Sequence, residues 1–212
     1  MNIWFATNNA HKKEELQAVL NMALKIPAEA GIHFDLEETG LTFHENALLK
    51  ARELRKLLNL PPSHQARVPA RYRDELVIAD DSGLCVDTLN GRPGIYSARY
   101  GSAEGKNLTS QQRNSLLLEE LGANPKRSAR FVCAMVLLFS DDRFYLVQET
   151  IEGEIVKSSE LSRGEGGFGY DPIFLVPELG RTMAELSPEE KNTLSHRGKA
   201  GKVIAGILSS LD

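Results

Sequence analysis

Residues 76–87 read LVIADDSGLCVD: an apolar run delivers two adjacent carboxylates, Asp80 and Asp81, followed by Ser82, Gly83 and a second apolar run. Neighbouring acids repel one another and cost desolvation if buried, so their position at the end of a core strand needs an offsetting interaction. Two carboxylates so placed are a donor set suited to a hard cation such as Mg²⁺. One of them can also take a proton from water. α/β folds put ligands at strand ends, and the pattern predicts strands over 76–79 and about 84–88, with Ser82 and Gly83 turning the chain between them. The same residues equally describe an exposed acidic turn. The paired acids of SDDR, 140–143, fall at an expected hairpin tip and read as solvent-facing.

Three further stretches carry chemistry-bearing residues. ATNNAHKK, 6–13, reads as a strand, a polar turn and a helix start with Lys12 and Lys13 in its first turn. Lysines there oppose the helix dipole, unless an anion on the first amides reverses the balance; the alternative is two solvated lysines. The glycine spacing of a P-loop is absent. EGGFGYDPIF, 165–174, sets Phe168 among Gly166, Gly167 and Gly169, beside Tyr170 and Asp171. Glycine-rich backbone approaches a ligand closely and a projecting ring stacks on a base; a loop whose aromatics tuck into the core is the other reading. KNTLSHRGK, 191–199, offers Lys191, His196 and Arg197, donors suited to carbonyl or phosphate oxygens, or else a basic helix end. A metal site, an anion site, a stacking platform and a donor cluster together make the parts of a nucleoside-phosphate enzyme.

The elements that must position these parts follow from period and punctuation. A strand at 3–6 precedes a helix starting near Asn9, its N-cap, with Leu16, Val19, Leu20 and Leu24 at helical spacing. TFHE, from Thr42, has the form of a capping box before an apolar face of Leu48, Ala51, Leu54 and Leu58. Thr109 caps a third helix, ARFVCAMVLLF and RFYLVQETI form a hairpin, and Ser187, Pro188 and Glu190 open another helix. The last helix has Val203, Ile204, Ile207, Leu208 and Leu211 as its apolar face. Residues 59–75, with three prolines and three arginines, read as a surface loop or insertion. Interleaved strands and helices with a late hairpin predict an α/β fold on a mixed sheet flanked by helices.

Composition narrows the class. At 212 residues the chain fits one large domain or two small lobes, and its net charge of −4 gives no drive toward nucleic acid or an anionic membrane. A bound phosphate must therefore be held by a local cluster. Cys85 and Cys133 both lie in apolar runs and read as buried reduced thiols. No basic-then-apolar leader and no apolar run near the ~20 residues of a membrane span is visible, so a cytoplasmic location is expected.

FATNNAHKKEEL, EETGLTFHENALLKAR, ADDSGLCVDTLNGRPGIYSARY, GGFGYDPIF and AELSPEEKNTLSHRGKA, in this order, resemble the Ham1 / inosine triphosphate pyrophosphatase family almost from end to end. The resemblance implies hydrolysis of ITP, dITP and XTP to the monophosphate and pyrophosphate, dependence on Mg²⁺, a homodimer, and an elongated two-lobed fold with the substrate in a central cleft. It implies that Thr7, Asn8, Asn9 and Lys12 form the phosphate-binding turn. Glu38 and Asp81 match metal-associated carboxylates, with Asp81 the base that activates water. Ser82 matches a substrate contact; Phe168, Gly169, Tyr170 and Asp171 match the nucleoside-binding loop. Lys191, His196 and Arg197 match residues that hold substrate and read the base. Two features depart from the family. Asn8 stands where Gly is usual, and asparagine tolerates left-handed backbone best after glycine; the 59–75 segment is longer and more basic. A pyrimidine-directed relative of the Maf type would not carry GGFGYDP and SHRG together, and a catalytically dead sensor would not need both Glu38 and Asp81.

Overall fold

β1 (Ile3–Phe5), α1 (Ala10–Leu20) and β2 (Leu24–Lys25) open the chain of this computed structural model, which describes residues 2–59, 75–102 and 107–211. The Asn9 side chain caps α1 by accepting from the Lys12 amide. The helix stops at Asn21, whose left-handed backbone (φ 51°) turns the chain, so Leu24 belongs to β2 and not to the helix face expected for it. α2 (Phe43–Asn59) starts at the expected capping box: the Glu45 carboxylate accepts from the Thr42 amide while the Thr42 hydroxyl accepts from that of Glu45. Its buried stripe is Asn46, Ala47, Lys50, Ala51, Leu54, Arg55 and Leu58. Three residues of the expected apolar face are in it; Leu48 is only partly buried. Residues 60–74, most of the expected insertion, lie outside the described residues.

β3 runs unbroken from Leu76 to Val86. The expected turn at Ser82 and Gly83 does not occur, and both aspartates lie within one strand rather than at the end of a short one. α3 (Ser110–Leu121) follows, with Thr109 and Gln112 as a reciprocal cap. β4 (Ser128–Ser140) and β5 (Arg143–Ile155) are joined at Asp141 and Asp142, as expected. β6 (Phe174–Val176), β7 (Arg181–Thr182), α4 (Pro188–Leu194) and α5 (His196–Ser209) complete the chain, and Ser187 and Glu190 cap α4 reciprocally. The strands form one seven-stranded sheet in the order β2-β1-β3-β4-β5-β6-β7. β1 pairs parallel with β2 and β3, and β6 pairs antiparallel with β5 and β7, so the sheet is mixed.

The chain divides into two compact units: Met1–Asp81 with Cys133–Glu149 and Arg197–Asp212, and Ser82–Val132 with Thr150–His196. In the first unit, strand alternation sorts side chains into two cores. Ile3, Phe5, Ile78, Cys133, Met135 and Leu137 pack with Leu16 and Leu20 of α1 and Ala200, Ile204 and Leu208 of α5. Trp4, Ala6, Val77, Ala79, Ala134, Val136 and Leu138 pack with Ala47, Ala51, Leu54 and Leu58 of α2. Val203 and Leu211, expected on the buried face of the last helix, are exposed. The second unit has its own core, in which Leu117, Phe131, Ile155, Tyr170 and Phe174 meet.

Candidate active site

The pleat of β3 answers the question raised by its two acids. Ile78 faces the α1/α5 core and Ala79 the α2 core, so Asp80 and Asp81, continuing the alternation, leave the strand on opposite faces. Each meets its own cation there, and their mutual repulsion is relieved by geometry before any metal is invoked.

Asp80, 1% exposed, takes Lys12 Nζ on one oxygen at 3.0 Å and Arg197 Nε and Nη2 on the other, each at 3.2 Å. Arg197 Nη1 continues to Glu15 at 2.6 Å. Burial works against the Asp80 charge, but the Lys12 and Arg197 charges together outweigh it and hold this carboxyl well below the usual carboxylate range. Burial likewise lowers the Lys12 pKa, with Asp80 opposing. Arg197, expected to read the base, has its guanidinium spread over two carboxylates within the first unit.

On the other face Asp81 receives Lys50 Nζ at 3.0 Å and Asn46 Nδ2 at 3.2 Å. The same Lys50 ammonium meets Glu38 Oε1 at 2.7 Å. Burial, helped by the nearby Glu38 charge, pushes the Asp81 carboxyl above its ordinary value, with Lys50 pulling the other way. Burial lowers the Lys50 pKa, but Asp81, Asp80 and Glu38 outweigh it and raise it. Two carboxylate oxygens thus converge on one cationic point. Among the described residues no group of three or more His, Cys, Asp or Glu is placed to hold a metal. A two-carboxylate set is still what Mg²⁺ uses when phosphates and water complete its shell, so Glu38 and Asp81 fit that ion.

Thr7 and Asn8 shape the turn before α1. The Thr7 hydroxyl accepts from the Asn9 amide at 3.1 Å, and Asn8 Nδ2 donates to the Phe34 carbonyl at 2.6 Å. Asn8 is not among the residues of positive φ, so asparagine serves here through its side-chain bond and not through tolerance of left-handed backbone. Ser82, half-buried, follows Asp81 in β3.

The second unit holds the glycine-rich loop. Asp171 Oδ2 accepts from the Phe168 amide at 2.8 Å and from Lys191 Nζ at 2.7 Å, and Lys191 Nζ sits 5.0 Å from the centre of the Phe168 ring. A Cβ on Gly167 would come within 2.1 Å of that carboxylate oxygen, and the residue has φ +70°, so only glycine fits. Asn114 of α3 donates to the Gly169 carbonyl at 3.1 Å, and both residues line a cavity of about 420 Å³ with Phe168. Tyr170 is in the core, its hydroxyl donating to the Ser97 carbonyl at 3.0 Å. His196 stacks on Phe131 with ring centres 5.0 Å apart.

Lys50 and Asn46 were not singled out from sequence. Their signal was present: Asn46, Lys50, Leu54 and Leu58 share the α2 stripe, and a polar group within an apolar helix face needs a buried partner.

Residues 3–206 match the model of the Ham1 family. The chain belongs to the Ham1 family. It is 49% identical over 201 residues to the dITP/XTP pyrophosphatase of Treponema denticola, covering 94% of each chain. It is 45% identical over 209 residues to that of Salmonella typhimurium, covering 96% of this chain and 95% of the other. The structure of the Staphylococcus aureus Ham1 protein matches at a TM-score of 0.80 with 38% identity over the whole of both chains. A Coxiella burnetii HAM1 protein matches at 0.81 with 38% identity, over 99% of each chain. The seven-stranded mixed sheet is therefore the family's α/β fold.

Proposed function

We propose that this protein is a dITP/XTP pyrophosphatase, hydrolysing dITP, ITP and XTP to the nucleoside monophosphate and pyrophosphate and so cleansing the nucleotide pool. The observation that carries the reading is the convergence of Glu38 and Asp81 on one cationic point, in a chain akin to dITP/XTP pyrophosphatases along nearly its whole length. Glu38 and Asp81 hold Mg²⁺, which when bound neutralises phosphate charge and favours deprotonation of water.

Asp81 is the general base. A carboxylate held by Asn46 and Lys50 beside Glu38 can accept the proton of a water attacking there. Lys12 and the amides at the start of α1 hold the phosphates, stabilising the negative charge that develops on the leaving pyrophosphate. Thr7, Asn8 and Asn9 shape that turn, and Ser82 contacts the substrate beside Asp81. The Phe168 ring, kept in place by the Asp171–Lys191 pair, stacks on the purine. Tyr170 and Gly169 fix the loop that carries it.

Selectivity follows from donors. Hypoxanthine and xanthine present a carbonyl at the purine 6-position, where adenine presents an amine. His196 and Lys191 donate to the carbonyl; an adenine amine would face donors unpaired, at a cost of about 1–3 kcal/mol or roughly tenfold to a hundredfold. The protein works as a cytoplasmic homodimer, and no helix among the described residues is long and apolar enough to cross a membrane.

The test is pyrophosphate release from dITP, XTP, dATP and dGTP with Mg²⁺. Release from dITP and XTP at kcat/KM well above the other two is expected. Orthophosphate in place of pyrophosphate, or equal turnover of all four, would overturn the reading.

A further inference from the structure

Asn46 is wholly buried (0% exposed) in the first turn of α2, a costly place for an amide unless both its edges are bonded. Both are. Its Nδ2 donates to Asp81 Oδ2 at 3.2 Å, and its Oδ1 accepts from the Gly40 backbone amide at 2.8 Å. The donor and acceptor edges are fixed by their partners, since Gly40 N–H can only donate and an ionised Asp81 can only accept. Gly40 lies two residues after Glu38. One side chain therefore ties the segment that carries Glu38 to the strand that carries Asp81. A Cβ on Gly40 would approach Asn46 Oδ1 to 2.6 Å, so the glycine leaves the room this bond needs. Lys50, one turn further along α2, takes the other Asp81 oxygen, at 3.0 Å. Of the two oxygens, Oδ2 is thus bound by a neutral amide and Oδ1 by the ammonium that also meets Glu38.

We propose that Asn46 is a positioning residue for the hydrolysis: it clamps Asp81 by one oxygen and the Glu38 segment by its backbone, fixing the rotamer of the base and the spacing of the two carboxylates. The inference rests on the reading of Asp81 as the base. A carboxylate free to rotate spends less time aimed at the attacking water, and misplacement by about 1 Å can cost a hundredfold in rate. Asn46 touches neither substrate nor the transferred proton; its effect reaches the reaction only through Asp81 and Glu38.

dITP hydrolysis with Mg²⁺ by Asn46→Ala, Asp81→Asn and the double variant, with melting temperatures for each, tests this. Asn46→Ala is expected to lower kcat by tenfold or more while KM stays within threefold. Added to Asp81→Asn, it is expected to remove less than a further threefold, because the group it positions is already gone. The same fold-loss in both backgrounds, a change in KM alone, or a wild-type kcat in Asn46→Ala would overturn the proposal. If Asn46→Ala does not fold, Asn46→Leu keeps the volume but can neither donate to Asp81 nor accept from Gly40; it is expected to show the same kcat loss, and a wild-type kcat would overturn the proposal. Wild-type turnover by Asp81→Asn would instead overturn the base assignment beneath it, whatever Asn46→Ala does.

Discussion

The two aspartates of β3 have one codon's separation and opposite chemistry, because each faces a different set of neighbours. Asp80 is bound by two cations and held below the ordinary carboxylate range; Asp81 is pushed above it. The first is tied to Lys12 and Arg197, and the second shares the Lys50 ammonium with Glu38. Asp81→Asn is expected to lower kcat at least about a hundredfold, the low end for loss of one general base, with a much smaller change in KM; steady-state kinetics on dITP decides it. Asp80 gives Arg197 a stabilising role that competes with base reading. Arg197→Ala removes one partner of a buried network and leaves Asp80 and Glu15 short of charge, so a loss of about 3–5 kcal/mol is expected in urea unfolding. An unchanged midpoint would show that the network contributes nothing to the fold. Cys133, wholly buried, is pushed up to about 12 by burial, with Asp80 adding. At pH 8 it is expected to resist iodoacetamide in the native protein and to react once unfolded, as mass spectrometry of the labelled protein would read.

Among the elements, the glycine-rich loop depends on a small closed circuit: Asp171 to the Phe168 amide, Asp171 to Lys191, and Lys191 over the Phe168 ring. Gly167 is the residue that lets the circuit close. Gly167→Ala puts a methyl group against Asp171 at a positive φ, so the loop must open. KM for dITP is expected to rise several-fold while inhibition by tripolyphosphate, which has no base to stack, is unchanged. Equal weakening of both ligands would place the loop's role elsewhere. The helices show the opposite economy. α2, α3 and α4 each start at a Thr or Ser whose cap is reciprocated three residues on, a short-range arrangement visible in the sequence alone.

At the scale of the molecule, pH dependence follows from the buried ion network of the first unit. Asp80 has a folded pKa below its unfolded value, so the unfolded chain binds more protons as acid is added. Its stabilising contribution is complete above the ordinary aspartate value of about 3.9 and is lost as pH falls through the folded value. Unfolding free energy is therefore expected to fall below about pH 4, and to fall less steeply in Asp80→Asn. An identical acid slope in both proteins, followed by circular dichroism in urea, would remove Asp80 from the account.

The sequence by itself determined the local and periodic features. Capping pairs, the hairpin at Asp141 and Asp142, the five α-helices of the described residues and the family motifs are properties of residues close together in the chain, and they need no knowledge of the other elements. What only the tertiary structure decided is which groups share a face. The two-residue period of β3 is legible, but that Asp80 meets Lys12 and Arg197 while Asp81 meets Lys50 and Asn46 depends on helices 31 to 117 residues away. An expected turn at Ser82 is strand instead, because Leu84 and Val86 beyond it are buried in the core of the second unit. The α2 stripe shows the limit most clearly. Lys50 and Asn46 break an apolar pattern, and a pattern cannot name the buried acid that makes the break tolerable; that takes a second strand brought against the helix by the packing of everything else.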